Sequence, residues 1–201
     1  MTPRFLLALS IAALFAFAAC GDDYDGSTPD ATSTIAPGAT VASSATDAPD
    51  ASSLRLTSSA FNDGDAMPVE YTCDGNDTSP PLAISGVPDE AAALALTVVD
   101  TDVPNGGFVH WTVWNIGPAT TEVAQGAVPS GGIEGQTSRG SPGYFGPCPP
   151  TGMHHYVFTL YALDAALVLD PAVAGRAEIE DAVQGHVLAT AELAGAYERS
   201  R

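Results

Sequence analysis

The chain has 201 residues, enough for one domain of ordinary size and some tail, and its 45% apolar content can bury a real core. Its formal charge is −18, and every one of the six basic residues is an arginine. That balance argues against a nucleic-acid partner, which needs a clustered basic surface, and against charge-driven attachment to an anionic bilayer.

The chain opens on a targeting pattern. Arg4 supplies a positive start, and Phe5 to Ala19 is almost wholly apolar but too short and wrongly flanked to span a bilayer. The run ends in Phe17-Ala18-Ala19-Cys20, which resembles a bacterial lipobox. Residues 1–19 are therefore expected to be a signal peptide and Cys20 the lipidated residue of an extracytoplasmic, membrane-anchored lipoprotein. From Gly21 to Ser53 the chain is Asp, Ser, Thr, Ala, Pro and Gly with scarcely a large apolar side chain. Such a segment cannot offset its ordering entropy by burial, so 20–53 reads as a disordered tether.

The folded domain is expected over 54–201. Leu54-Arg55-Leu56 alternates as a half-buried strand does. Apolar runs follow at Ala91 to Val99 and Phe108 to Ile116, and alternation returns at Tyr156 to Tyr161 and Val187 to Tyr197. Gly, Pro, Asn and Asp clusters separate them, the pattern of an antiparallel sandwich. A helix is expected over 175–184, with Ala177, Ile179 or Glu180, and Val183 on one face and Gly185 as its stop. The Gly/Ser/Pro stretch from Pro129 to Pro150 is long for a structureless loop, and loops of that length are usually functional.

Three clusters can carry chemistry. Asp100-Thr101-Asp102-Val103-Pro104 ends an apolar strand, and alternation puts both carboxylates on one side. His110 lies in the apolar run Phe108 to Trp114, where an imidazole needs a partner or a solvated cleft. Gly146-Pro147-Cys148-Pro149-Pro150 is a stiff loop leading into Met153-His154-His155-Tyr156, where His154 and Tyr156 share a strand face and His155 takes the other.

Together these resemble the phosphatidylethanolamine-binding family, in its bacterial Raf kinase inhibitor-like branch. The family carries Asp-x-Asp-x-Pro, a histidine in the next strand, and a Gly-x-Pro-Pro…His-x-Tyr segment, in that order. Cys73-Asp74-Gly75, Ser79-Pro80-Pro81-Leu82, Gly185 to Ala189 and Gly195-Ala196-Tyr197 extend the similarity over Leu54 to Arg199. The resemblance implies a mainly β fold: an antiparallel β-sandwich of one large and one small sheet, with one or two helices near the C-terminus. It implies a ligand-binding pocket formed by Asp100, Asp102, His110, Pro150, His154 and Tyr156, with Phe108 near its mouth. The family's pocket takes a small anion such as phosphate or a phospholipid head group. Thr137 stands where relatives often have Asn.

The functional expectation is a lipid-anchored binding protein with no cofactor, no metal and no catalytic residue. An inhibitor or interaction protein acting on a kinase or protease through the pocket surface is the alternative. Ser79 could join Asp and His in a nucleophilic triad, but no Gly-x-Ser-x-Gly elbow surrounds it. Two histidines and an Asp could hold a metal, yet His-x-x-x-His and paired-Cys spacings are missing. With Cys20 lipidated, Cys73 and Cys148 remain as an even pair in an oxidising compartment. The resemblance places both beside the pocket, so a disulfide and two unpaired thiols both stay open.

Overall fold

The computed structural model describes residues 53–200, so the expected signal segment, Cys20 and all but the last tether residue lie outside the described part. Two antiparallel sheets pack face to face. The small sheet has the order β1-β2-β5, formed by β1 (Arg55–Thr57), β2 (Leu82–Ser85) and β5 (Glu122–Val123). The large sheet has the order β6-β4-β3-β7-β8. It contains β3 (Ala93–Asp100), β4 (Phe108–Ile116), β6 (Ile133–Glu134), β7 (Met153–Leu163) and β8 (Val187–Glu198). The expected sandwich of one large and one small sheet is thus the fold, with a single α-helix, α1 (Arg176–Ala182), near the C-terminus.

The strand register explains why the apolar runs read as they do. In the central strand β3 every residue is buried. Leu94, Leu96 and Val98 face the small sheet, where they meet Leu56, Leu82, Ile84 and Val123 and, from β7, Phe158 and Leu160. Ala95 faces the opposite side with Trp114 and Leu163, under a second apolar layer of Leu167, Ala174, Ile179 and Val183. A strand covered on both faces needs apolar residues at successive positions, so β3, and its neighbour β4 over 110–114, are buried continuously where β7 alternates. Each fully buried Leu, Ile or Phe here contributes about 1.5–3 kcal/mol relative to exposure.

The second layer is held by polar contacts as well. Asn115 adopts positive φ (57°) beside a register shift between β3 and β4. Its side-chain amide donates to the Leu167 carbonyl at 2.9 Å and its side-chain oxygen accepts the Leu167 N–H at 2.8 Å. Asn is the residue that most readily takes this conformation after Gly, and the bulge aims it at the loop. At α1, the Glu178 carboxylate accepts the N–H of Gly175 at 2.9 Å, closing the first turn. Ile179 and Val183 are buried as the helical spacing requires, whereas Ala177 is exposed. Gly185 takes φ +81° after the helix, the left-handed stop that Gly supplies without strain.

β2, β5 and β6 did not stand out as strands in the sequence. They are short, two to four residues each, and their hydrogen-bond partners come from far along the chain. Because α1 is so short, its docking rests on the second layer. Ile179→Ala is expected to lower stability by about 2–4 kcal/mol, measured by urea unfolding, because Ile179 is fully buried there.

Candidate functional site

The site grows from the place where β3 runs out. Asp100, its last residue, is 3% exposed, and a buried carboxylate must find donors. It finds two. Its Oδ2 accepts Nδ1–H of His154 at 2.7 Å, and its Oδ1 accepts the N–H of Asp102 at 3.0 Å. Since a carboxylate only accepts, Nδ1 of His154 carries a proton, and Nε2 is the ring nitrogen left without a bond to Asp100.

His110 enters from β4. Its Nδ1 donates to the carbonyl of Phe145 at 2.6 Å, so here too Nε2 is the nitrogen left over. Three aromatic rings enclose it: Phe145 stacked parallel at 5.2 Å, Phe108 tilted at 5.1 Å, and Tyr156 edge-on at 5.0 Å. Burial pushes its pKa below the ordinary value of 6.5, only partly opposed by the Phe145 carbonyl and Asp100. Tyr156 is fully buried, with its hydroxyl beside the Asp100 carboxylate. Burial, and next the nearby Asp100 carboxylate, push its pKa far up, so the hydroxyl stays a donor.

Asp100, Val103, Phe108, His110, Arg139, Phe145, Cys148 and Pro150 line a cleft of about 420 Å³. Of the residues singled out from the sequence, Asp100, His110 and Pro150 line it, and Phe108 does as well. His154 and Tyr156 stand next to it through Asp100 and His110. Asp102 goes elsewhere. Its Oδ2 accepts both the backbone N–H and the ring N–H of His155, at 2.6 and 2.8 Å, on the other face of β7. Those donors, the ring first, hold its pKa below the carboxylate range. The chain turns at Thr101, so strand alternation no longer keeps the two carboxylates together. Ser79 is also remote from the cleft. Its hydroxyl accepts the N–H of Gly126, and it lines a small separate cavity with Trp111 and Tyr144.

The sequence reading missed Phe145 and Arg139. The Arg139 guanidinium lies 3.2 Å from the Phe145 ring centroid. The available signal was its position as the one arginine inside the long Gly/Ser/Pro stretch. A larger cleft, about 670 Å³, lies past Pro150 between residues 150–152 and 198–200. Its arginine, Arg199, is already committed to Asp74 at 2.6 Å.

The cleft wall from Tyr144 to Pro150 forms no strand ladder: Phe145 alone bonds to β4, its N–H donating to the His110 carbonyl at 2.9 Å, and the rest is clipped to the segment 71–77. Tyr144 donates its hydroxyl to the Tyr71 carbonyl, Gly146 its N–H to Asp77, and Cys73 its N–H to the Pro147 carbonyl. Cys73 and Cys148 form a disulfide, with Cα atoms 5.4 Å apart. The approach is so close that a Cβ on Gly146 would sit 2.6 Å from the Tyr71 carbonyl oxygen. That explains the glycine opening the Gly-Pro-Cys-Pro-Pro run. Because the bridge closes a loop across 75 positions, the double substitution Cys73→Ser, Cys148→Ser is expected to lower stability by about 2–4 kcal/mol in denaturant titrations.

Comparisons with known proteins place the chain in a family. The family profile described as phosphatidylethanolamine-binding protein matches residues 57–198. A UPF0098 protein of Methanothermobacter thermautotrophicus is 44% identical over 151 residues, covering 73% of this chain and 99% of its own. A Mycobacterium tuberculosis protein named "Putative lipoprotein LppC" is 40% identical over 195 residues, covering 96% of this chain and 95% of its own. The crystal structure of CT736 from Chlamydia trachomatis, titled a phosphatidylethanolamine-binding protein homolog, is similar with TM-score 0.71 and 40% identity, covering 74% of this chain and 99% of that one. Escherichia coli YbcL, titled a member of the mammalian PEBP family, has TM-score 0.68 and 31% identity, with 73% and 99% covered. The chain belongs to the phosphatidylethanolamine-binding protein family.

Proposed function

We propose that this protein is an exported, lipid-anchored binding protein whose cleft takes a small anion, a phosphate or a phosphorylated head group, without turning it over. The observation that carries the reading is the pair of histidines whose Nδ1 protons are committed to Phe145 and Asp100, leaving each Nε2 for a ligand. The Tyr156 hydroxyl, kept protonated by burial and by the Asp100 carboxylate, lies behind them. The lipoprotein part rests on the Ala18-Ala19-Cys20 pattern and on the name borne by the mycobacterial relative. The same geometry favours binding over catalysis, because Ser79, the nucleophile considered from the sequence, lies on another cavity.

The tautomer gives the reading a pH signature. In the free protein His110 is neutral and Nε2 carries a lone pair, so it becomes a donor to an anion only by taking up a proton. Its pKa starts below 6.5 and rises when an anion binds, because the anion favours imidazolium. Binding is therefore strongest below the free-protein pKa and declines as pH rises through the pKa of the complex. Isothermal titration with sulfate, whose charge is constant over this range, isolates the protein's contribution. Affinity is expected to fall as pH rises from about 5 to 8, the range in which histidine titrates. His110→Phe is expected to weaken binding at the acid end by about tenfold or more and to flatten the profile, since a charge-assisted contact is lost. A wild-type affinity that stays flat or rises with pH contradicts the histidine mechanism, and phosphoethanolamine recovered as hydrolysis products contradicts binding without turnover.

The anchor has its own test. Wild type is expected to partition into a detergent phase and Cys20→Ser into the aqueous phase. Equal aqueous partitioning of both contradicts the anchor.

A further inference from the structure

An anion entering this cleft meets a charge problem. The protein carries −18 overall, the Asp100 carboxylate lines the cleft, and burial keeps His110 neutral at neutral pH. Among the residues lining the cleft, Arg139 is the one permanent cation.

Its placement is built, not incidental. Thr137 and Ser141 close a tight turn: the Thr137 N–H and hydroxyl both donate to the Ser141 carbonyl, at 3.1 and 2.8 Å. The Thr137 hydroxyl oxygen accepts the Arg139 N–H at 3.2 Å. Ser138 then pins the turn to the strand carrying His110. Its hydroxyl accepts the Val109 N–H at 2.8 Å, and its own N–H donates to the Val109 carbonyl at 3.1 Å. The guanidinium sits over the face of Phe145, the ring that stacks on His110, and it forms no ion pair among the described residues. A planar cation stacked on an aromatic face keeps its N–H edge free, the geometry suited to phosphate oxygens.

We infer that Arg139 is a ligand-binding residue of this cleft and makes it select phosphate monoesters over phosphodiesters. This rests on the anion-binding reading above and narrows it. A monoester carries nearly two charges at pH 7 and three terminal oxygens, whereas a diester carries one charge and two such oxygens. The cleft lining offers a ligand the forked guanidinium of Arg139, whose N–H groups can meet two oxygens, and Nε2 of protonated His110, which can meet a third. A third oxygen blocked by esterification leaves a buried donor unmet, the kind of mismatch by which polar sites reject a near neighbour. The phosphate of an intact bilayer phospholipid is such a diester, so the site fits a soluble monoester or a lipid with a terminal phosphate.

Methyl phosphate and dimethyl phosphate test this directly by isothermal titration at pH 7. Wild type is expected to prefer methyl phosphate by about tenfold or more, a factor worth 1.4 kcal/mol. Arg139→Gln is expected to lose about tenfold for methyl phosphate and little for dimethyl phosphate, and Arg139→Lys, which keeps the charge, to recover part of the loss. Because Arg139 is exposed, all three proteins should melt at the same temperature. Unchanged methyl phosphate affinity in Arg139→Gln, or equal wild-type affinity for both esters, overturns the assignment. Wild type that binds neither ester, nor sulfate at acid pH, overturns the anion reading and this assignment with it.

Discussion

One buried carboxylate organises the cleft end of this protein. Asp100 closes a strand that is covered on both faces, so its charge must be met locally. β7 supplies the answer by register: Asp100 lies opposite Tyr156, which brings His154 within 2.7 Å of the carboxylate. The same bond that satisfies Asp100 holds a proton on Nδ1 of His154. On the neighbouring strand, the Phe145 carbonyl does the same for His110. Three strands and one irregular wall thus bring Asp100, His110 and Arg139 to a single cleft, with His154 and Tyr156 packed behind Asp100 and His110.

The wall is the costly part of the design. Residues 144–150 have no ladder to hold them, and their polar backbone would be unsatisfied if they stood alone. His110 on β4 meets both backbone groups of Phe145, and the segment 71–77 holds the rest with three hydrogen bonds and the Cys73–Cys148 disulfide. Its own turn is equally tight: a Cβ on Gly75 would lie 2.1 Å from the Val69 carbonyl oxygen. The Cys73-Asp74-Gly75 and Gly146-Pro147-Cys148 motifs are therefore two halves of one clip. Asp74, between them, also holds Tyr197 and Arg199 at the end of β8, tying the last strand to the same corner.

How much was legible in the sequence follows from these contacts. The long strands were readable because their burial pattern is local: β4 has the bounds of its apolar run, and β8 ends one residue beyond its own. The partition of His154 and His155 to opposite faces was readable for the same reason. Asp102 was placed with Asp100 because alternation was carried past the strand end, where the turn at Thr101 cancels it. Arg139 and Phe145 were not readable, since their roles depend on a turn at 137–141 and on a carbonyl aimed from 35 positions away. β5 and β6, two residues each, exist through their partners alone.

The account depends most on the protonation state of His110, which a ring nitrogen reports without reference to affinity. Long-range ¹⁵N–¹H NMR of the imidazoles at neutral pH should show His110 as a neutral ring protonated on Nδ1. Saturating sulfate should convert it to imidazolium, with both nitrogens protonated. A His110 ring that keeps its free-state spectrum while sulfate is bound contradicts the central claim.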